Sequence, residues 1–248
     1  MKNPVFLKET YNIFHKNTKA QFKIIERKNY TYRFSISVLN EFAYKSKDIL
    51  DIGCGSGTID FYLAKKGGRV FGVDISRKAI KKCKESAIIL GLEKKTTFKV
   101  INFPRRSIDR KFDIIICFEV LEHLEDDFLA ARKIKKMIKR NGLFVLSVPS
   151  KNAPLYKWGV ASKFDKEVGH LRRYSVEDLQ LLLSNAGFKI IKIKKVEGVF
   201  RNFLFMNRSA GKLIRFLKFC LSDIATVIDN ALIPLFGESN IIIVARPI

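Results

Sequence analysis

The chain is 248 residues long and 47% hydrophobic, with 21 phenylalanines, which supplies a substantial core and excludes an intrinsically disordered chain. Its 47 basic against 24 acidic residues leave a formal charge of +23, a field that favours nucleic acid, anionic lipid headgroups or a phosphorylated substrate. A Lys- and Ile-rich bias that merely coats the surface is the plain alternative. No uncharged run reaches the ~18–20 residues of a membrane span, and no apolar stretch of signal-peptide length opens the chain. Four cysteines without Cys-x-x-Cys spacing exclude a zinc knuckle and a disulfide frame, so a cytoplasmic protein with reduced thiols is expected.

The first 45 residues, in which FSISVLNEFAY is periodic at helical spacing, read as helices packed ahead of a sheet. DILDI (48–52) reads as a buried strand, and GTIDFYLAKKG as a helix closed by Gly67. RVFGVD (69–74) is the second strand; the helix after it begins at the cap-type Ser76 and stops at Gly91. TTFKVI and FDIIICF (112–118) are the third and fourth strands. One long helix over VLEHLEDDFLAARKIKKMIK and a fifth strand, GLFVLSVP, follow. After Pro149 a polar, irregular stretch runs to about Arg173. SVEDLQLLLSNAGF then opens a helix on a Ser175…Asp178 capping pair and stops it at Gly187. KIIKIKKV alternates isoleucine with lysine, as a strand with one wet face does, and IIIVARPI is a terminal strand.

Short apolar strands alternating with helices predict an α/β fold: a Rossmann-like, doubly wound sheet with right-handed crossovers and ligands at the carboxyl ends of the strands. One domain over 1–248 is expected, with N-terminal helices in 1–45, a core in 46–196 and 240–248, and an insertion in 197–239. From Lys212 the insertion reads as an amphipathic helix, with Leu213, Leu217, Cys220, Ile224 and Val227 or Ile228 along one stripe. Lys212, Arg215 and Lys218 lie beside Phe216 and Phe219. Charges at 215, 218, 223 and 229 exclude a span. Two readings stay open: the apolar face packs on the protein as a lid or dimer contact, or it rests on an anionic membrane face and feeds a lipid-like acceptor to the cleft.

The glycine loop decides the ligand. Gly53, Gly55 and Gly57 form Gly-x-Gly-x-Gly, whereas a dinucleotide loop wants Gly-x-Gly-x-x-Gly to seat a pyrophosphate. Asp51 stands two residues before the first glycine, where it would repel a phosphate and attract an ammonium or a sulfonium. S-adenosylmethionine carries both and has no phosphate. Asp74, at the end of the second strand, suits an adenosine ribose. A tight strand–helix turn with no ligand is the alternative.

ILDIGCGSG, VFGVDIS, KFDIIICFEVLEHL and NGLFVLSVP resemble the successive motifs of class I S-adenosylmethionine-dependent methyltransferases, nearest to the broad group that includes the ubiquinone-type O-methyltransferases. The resemblance spans roughly 45–195 and the final strand. It implies a seven-stranded sheet, with S-adenosylmethionine as cofactor. It places Asp51, Gly53, Cys54, Gly55 and Gly57 along the methionine half, and Asp74 and Ile75 at ribose and adenine. Asn102, where the family often has Asp, meets the adenine amino group; Phe103 packs beside the ring, and Phe118 and Glu119 flank the methionine end.

Methyl transfer is an in-line displacement, so the chain must align an acceptor and, for a hydroxyl, remove a proton. The candidates are His123, just past the fourth strand, and His170, in GHLRRYS; His15 has no signal around it. Arg172, Arg173 and Tyr174 would either grip an anionic acceptor or solvate the start of a helix. Glu119, Glu122 and His123 would share one face of a helical turn and, with His170, form a site for Mg²⁺, Mn²⁺ or Zn²⁺. This resembles the arrangement in small-RNA 3′-end 2′-O-methyltransferases, though Glu-x-x-Glu-His also occurs without a metal. The expected activity is methyl transfer, most simply to oxygen, on a small lipid-like or anionic acceptor. The alternatives are an RNA 2′-O-methyltransferase and a module that binds the cofactor without catalysis.

Overall fold

β1 (Asp48–Ile52) is buried along its length except at Asp48, and parallel partners flank it: β2 (Arg69–Asp74) on one side and β4 (Phe112–Phe118) on the other. β3 (Thr96–Val100) extends the sheet beyond β2, and β5 (Ile138–Pro149) beyond β4. The last strand, β7 (Asn240–Pro247), runs antiparallel between β5 and β6 (Phe188–Val196), giving the order 3-2-1-4-5-7-6. The strand order reverses at β1 and β4, which opens a crevice at their carboxyl ends. This is a computed structural model, and it describes residues 19–26, 29–206 and 220–248.

Side chains alternate between two cores, as strands covered on both faces require. Ile49, Ile114, Ile116, Val145, Ile242 and Val244 pack under α1 (Arg33–Leu39), α2 (Thr58–Lys65) and α3 (Arg77–Ile89). Leu50, Ile52, Ile115, Leu146 and Ile243 pack under α4 (Asp127–Met137) and α7 (Val176–Asn185). The expected caps form: Ser76 Oγ accepts from Ala79 N at 3.2 Å, and Ser175 and Asp178 make a reciprocal capping box.

The long helix expected over 120–139 is broken. Leu121–His123 make one 3₁₀ turn, Leu124 is extended, and Asp126 Oδ1 caps a fresh start at Leu129 N, 2.7 Å away. The acids of LEDD favour a new cap over a continuous helix. The helix then ends at Met137, and β5 begins at Ile138 instead of Gly142. In β6 a register shift between Ile190 and Lys192 leaves Ile191 and Ile193 36–45% exposed, while Lys192 reaches Glu41 and Lys194 reaches Ser37. The simple isoleucine-in, lysine-out alternation therefore fails. Of the helices expected before the sheet, only α1 forms among the described residues, with 19–26 and 29–32 in turns or extended; His15 and residues 1–18 lie outside them.

After Pro149 come α5 (Pro154–Lys157) and α6 (Ser162–Val168), and between β6 and β7 come α8 (Val199–Met206) and α9 (Cys220–Phe236). Lys212, Leu213, Arg215, Phe216, Leu217, Lys218 and Phe219 lie outside the described residues. Asp229 of α9, fully buried, accepts from the backbone N–H of Gly198, Phe200 and Arg201 and so caps α8. Among the described side chains of α9, Thr226 and Asp229 are buried, whereas Ile224, Val227, Ile228 and Leu235 are 53–77% exposed.

Candidate active site

The first part of the site is made of backbone. Between β1 and α2, Gly53, Gly55 and Gly57 all take positive φ, which a Cβ would strain. The neighbouring strand pins the loop: Val73 O accepts from Gly53 N and Cys54 N at 2.8 and 3.0 Å, and Asp74 Oδ2 from Gly55 N at 2.9 Å. Asp74 Oδ1 accepts from Ser76 N at 2.7 Å, turning the chain into α3. A Cβ on Gly53 would sit 2.3 Å from Val120 Cγ2, so the loop and the end of β4 meet closely. Beyond Asp74 opens a cleft of about 360 Å³ lined by Ile75, Arg77, Val100, Asn102 and Arg106. Ile75 and Asn102 thus share one hollow. Phe103 and Cys54 are buried, in opposite cores, and Phe118 is half-buried.

Three residues here escape the motif. Gln21 lies across the loop, its Nε2 donating to Ser56 O (2.7 Å) and Thr58 Oγ1 (3.0 Å) and its backbone N to Ser86 Oγ (2.9 Å). Tyr32 packs against the same core, its phenol raised first by burial and then by the charges of Asp51 and Asp60. Asp60, in the first turn of α2, is fully buried beside Asp51, itself only 5% exposed. No pattern marks Gln21 or Tyr32; a carboxylate inside the apolar run TIDFYLA does mark Asp60.

Past the carboxyl end of β4 the site is made of side chains. Glu122, His123 and His170 each offer a ligand atom within 4.8 Å of the others. Nδ1 of His123 faces the carbonyl of Gly169 at 3.2 Å; a carbonyl can only accept, so Nδ1 holds the proton and Nε2 keeps its lone pair. Nδ1 of His170 donates to Asp165 Oδ1 at 2.8 Å in the same way. The two Nε2 atoms stand 3.6 and 3.9 Å from Glu122 Oε1. Glu122 is fully buried, and neither of its oxygens has a hydrogen-bond partner among the described residues. Burial, with Glu119 adding to it, pushes its carboxyl well above the usual range. Burial and His170 lower His123 to about 4, which keeps it neutral at pH 7.

Two expectations change. Glu119 does not share a helical face with Glu122 and His123: it sits at φ 54°, its Oε1 accepting from Ser147 Oγ and Asn240 Nδ2, both at 2.7 Å. It stands outside the ligand cluster. Nor do Arg172, Arg173 and Tyr174 reach for an acceptor. Arg173 is buried and clasps Asp165 through two hydrogen bonds of 2.8 and 2.6 Å, Arg172 pairs with Asp127 at 2.8 Å, and Tyr174 Oη donates to the same Asp127 carboxylate at 2.8 Å. The arginine–aspartate clasp fixes Asp165, and Asp165 fixes His170.

A family model described as a methyltransferase domain matches residues 26–193. The ubiquinone biosynthesis O-methyltransferase of Pasteurella multocida is 30% identical over 151 residues, covering 57% of this chain and 61% of that protein. The matched part thus spans less than two thirds of that relative. Magnesium protoporphyrin IX methyltransferase from Synechocystis PCC 6803, crystallised with bound SAH, superposes with a TM-score of 0.65 at 16% identity, covering 99% of this chain and 100% of that one. The [4+2]-cyclase SpnF superposes at 0.61 with 16% identity, covering 97% and 93%. At such identities these two speak for the fold alone.

Proposed function

This chain belongs to the S-adenosylmethionine-dependent methyltransferase family, and from that premise we propose that it moves the cofactor's methyl group to an oxygen of a small, lipid-like acceptor. The observation that carries this reading is the convergence of two histidine Nε2 lone pairs on the partnerless Glu122 carboxylate, next to the glycine loop's end of the sheet. S-adenosylmethionine, when bound, supplies a methyl group already activated by its sulfonium. The glycine loop and the N-terminus of α2 would hold its methionine end, Asp74 the ribose hydroxyls, and Ile75, Asn102 and Phe103 the adenine. His170 accepts the acceptor's hydroxyl proton at Nε2, and Asp165 stabilises the imidazolium so formed. The anionic acceptor loses its support, because the arginines that would have gripped it are bound to Asp165 and Asp127.

The same three side chains fit a divalent cation. A buried carboxylate with two empty oxygens and two imidazoles whose Nδ1 protons are each held by an oxygen form a ligand set with its outer shell in place. In that alternative, Mg²⁺, Mn²⁺ or Zn²⁺ on Glu122, His123 and His170 would take the Nε2 lone pair of His170 and, in place of its role as base, lower the pKa of the acceptor hydroxyl. Incubating labelled cofactor with lipid, RNA and protein fractions tests the acceptor class: label in a lipid-like small molecule is expected. Label in RNA, with salt-dependent binding, would replace this reading with the nucleic-acid one.

We further propose that α9 brings the protein to an anionic membrane face where such an acceptor resides. Its exposed Ile224, Val227, Ile228 and Leu235 continue into Phe236, whose ring meets exposed Trp158 edge-on at 6.4 Å. No helix among the described residues is long and apolar enough to cross a membrane. Flotation with anionic liposomes should show binding that weakens with salt and with Val227→Asp. A protein that ignores liposomes, and whose Val227→Asp variant changes oligomeric state, would assign this face to a second copy of the chain.

A further inference from the structure

The Asp60 carboxylate has no evident role in holding the fold. It is fully buried, no donor side chain meets either of its oxygens among the described residues, and the charged groups acting on it there are the acids Asp51 and Asp74. In a chain with 47 basic residues, none of the described lysines or arginines neutralises it. A buried acid left without a cation costs stability, so its niche calls for an explanation. That niche is cut to fit. Gly72 of β2 stands level with Asp51 in the sheet, and a Cβ there would lie 2.7 Å from Asp60 Oδ1 and equally close to the Phe98 ring. Only glycine leaves room for the carboxylate. Asp60 thereby reaches Asp51 closely enough for the two carboxyls to share a hydrogen bond when one of them is protonated.

We propose that Asp51 and Asp60 form a paired-carboxyl receptor for the ammonium group at the methionine end of the cofactor. The empty pair holds a shared proton, and the arriving ammonium displaces it to solvent. This rests on the reading of the chain as an S-adenosylmethionine-binding protein and adds a residue that the glycine-loop motif does not contain. Charge balances: one positive charge leaves the pair as H⁺ and one arrives as R–NH₃⁺. Tyr32, packed against the pair, has its phenol raised by burial, and burial likewise raises the Cys54 thiol, so both stay neutral. Asp74, the third acid, acts on both carboxyls. Burial raises Asp60 to about 7, with Asp74 adding to it, and burial and then Asp60 raise Asp51 well above the usual carboxylate range; the Asp60 step puts the exchange within a readable pH range.

Calorimetry tests this with two ligands: S-adenosylhomocysteine, which carries the ammonium, and 5′-methylthioadenosine, which lacks the amino-acid end. Binding of the first to the wild-type protein, measured in buffers of different ionisation enthalpy, should release up to about one proton near pH 6.5. Its affinity should rise by up to about tenfold per pH unit below pH 7 and level off above. In Asp60→Asn the proton release and the pH slope should vanish and the affinity should fall about tenfold or more, while 5′-methylthioadenosine binds as before. Asp60→Ser serves as a second variant should the amide not be accommodated. Wild-type binding without proton release, or equal losses for both ligands, would overturn the pair. Failure of the wild-type protein to bind either ligand would overturn the cofactor reading itself.

Discussion

The two halves of the site are made of different material. On the cofactor side, a continuous stretch from β1 into α2 does most of the positioning with backbone: three positive-φ glycines and amides pinned by Val73 and Asp74. On the acceptor side the geometry comes from side chains distant in sequence, with Glu122 and His123 on one turn, His170 on a loop, and Asp165 and Arg173 behind them. The first construction tolerates little change in local sequence. The second depends on a chain of partners, each fixing the next. Cofactor binding and proton removal should therefore be separable by mutation.

The largest separation is expected at His170→Ala, which should lower turnover by about 10²–10⁴-fold while S-adenosylhomocysteine affinity, read by calorimetry, stays within about twofold. Parallel losses in both would merge the two halves. Arg173→Ala comes next, since it strands a buried carboxylate; a loss of about 3–5 kcal/mol in denaturant unfolding is expected. Arg173→Lys should recover only part of it, because the clasp uses two parallel hydrogen bonds. Asp60→Asn sharpens the contrast from the other side. The folded-state pKa of Asp60 is raised from 3.8 to about 7, so wild-type stability is lost as pH climbs through that window. The variant should match the wild type near pH 4 and exceed it by about 2–4 kcal/mol at pH 8, with thermal unfolding at the two pH values as the check. Smallest is Asp74→Ala, which should weaken S-adenosylmethionine by about 1–3 kcal/mol through lost ribose hydrogen bonds. Unchanged affinity there would remove the adenosine assignment.

The same contrast governs how much could be read from residues alone. Period and glycine spacing are local signals, and they predict the alternating strands and helices and the tight glycine turn after β1 because backbone geometry follows from adjacent residues. Ile75 and Asn102 come from the resemblance of the motifs, and the structure brings them into one hollow. The break after Glu119 was not legible: VLEHL has helical spacing, and the contacts that accompany its φ of 54°, to Ser147 and Asn240, come from distant strands. The arginines of HLRRYS look available in sequence and are bound in three dimensions, since no pattern shows that Asp165 and Asp127 wait for them. In β6, one register shift reverses which residues face outward, which periodicity cannot reveal.

The position of β7 has a consequence for how the chain is made. It is the last of the seven strands to leave a ribosome, yet it lies between β5 and β6 and hydrogen-bonds to both. Until Asn240–Pro247 emerge, β5 keeps one unpaired edge and β6 has no place in the sheet, even though α8 and α9 already follow β6 in the chain. The nascent protein therefore carries an open β5 edge from the time Pro149 is made until β7 emerges, the state in which strands pair with neighbouring chains. A product that stops before Asn240 should keep its glycine loop intact and still be captured by chaperones or aggregate.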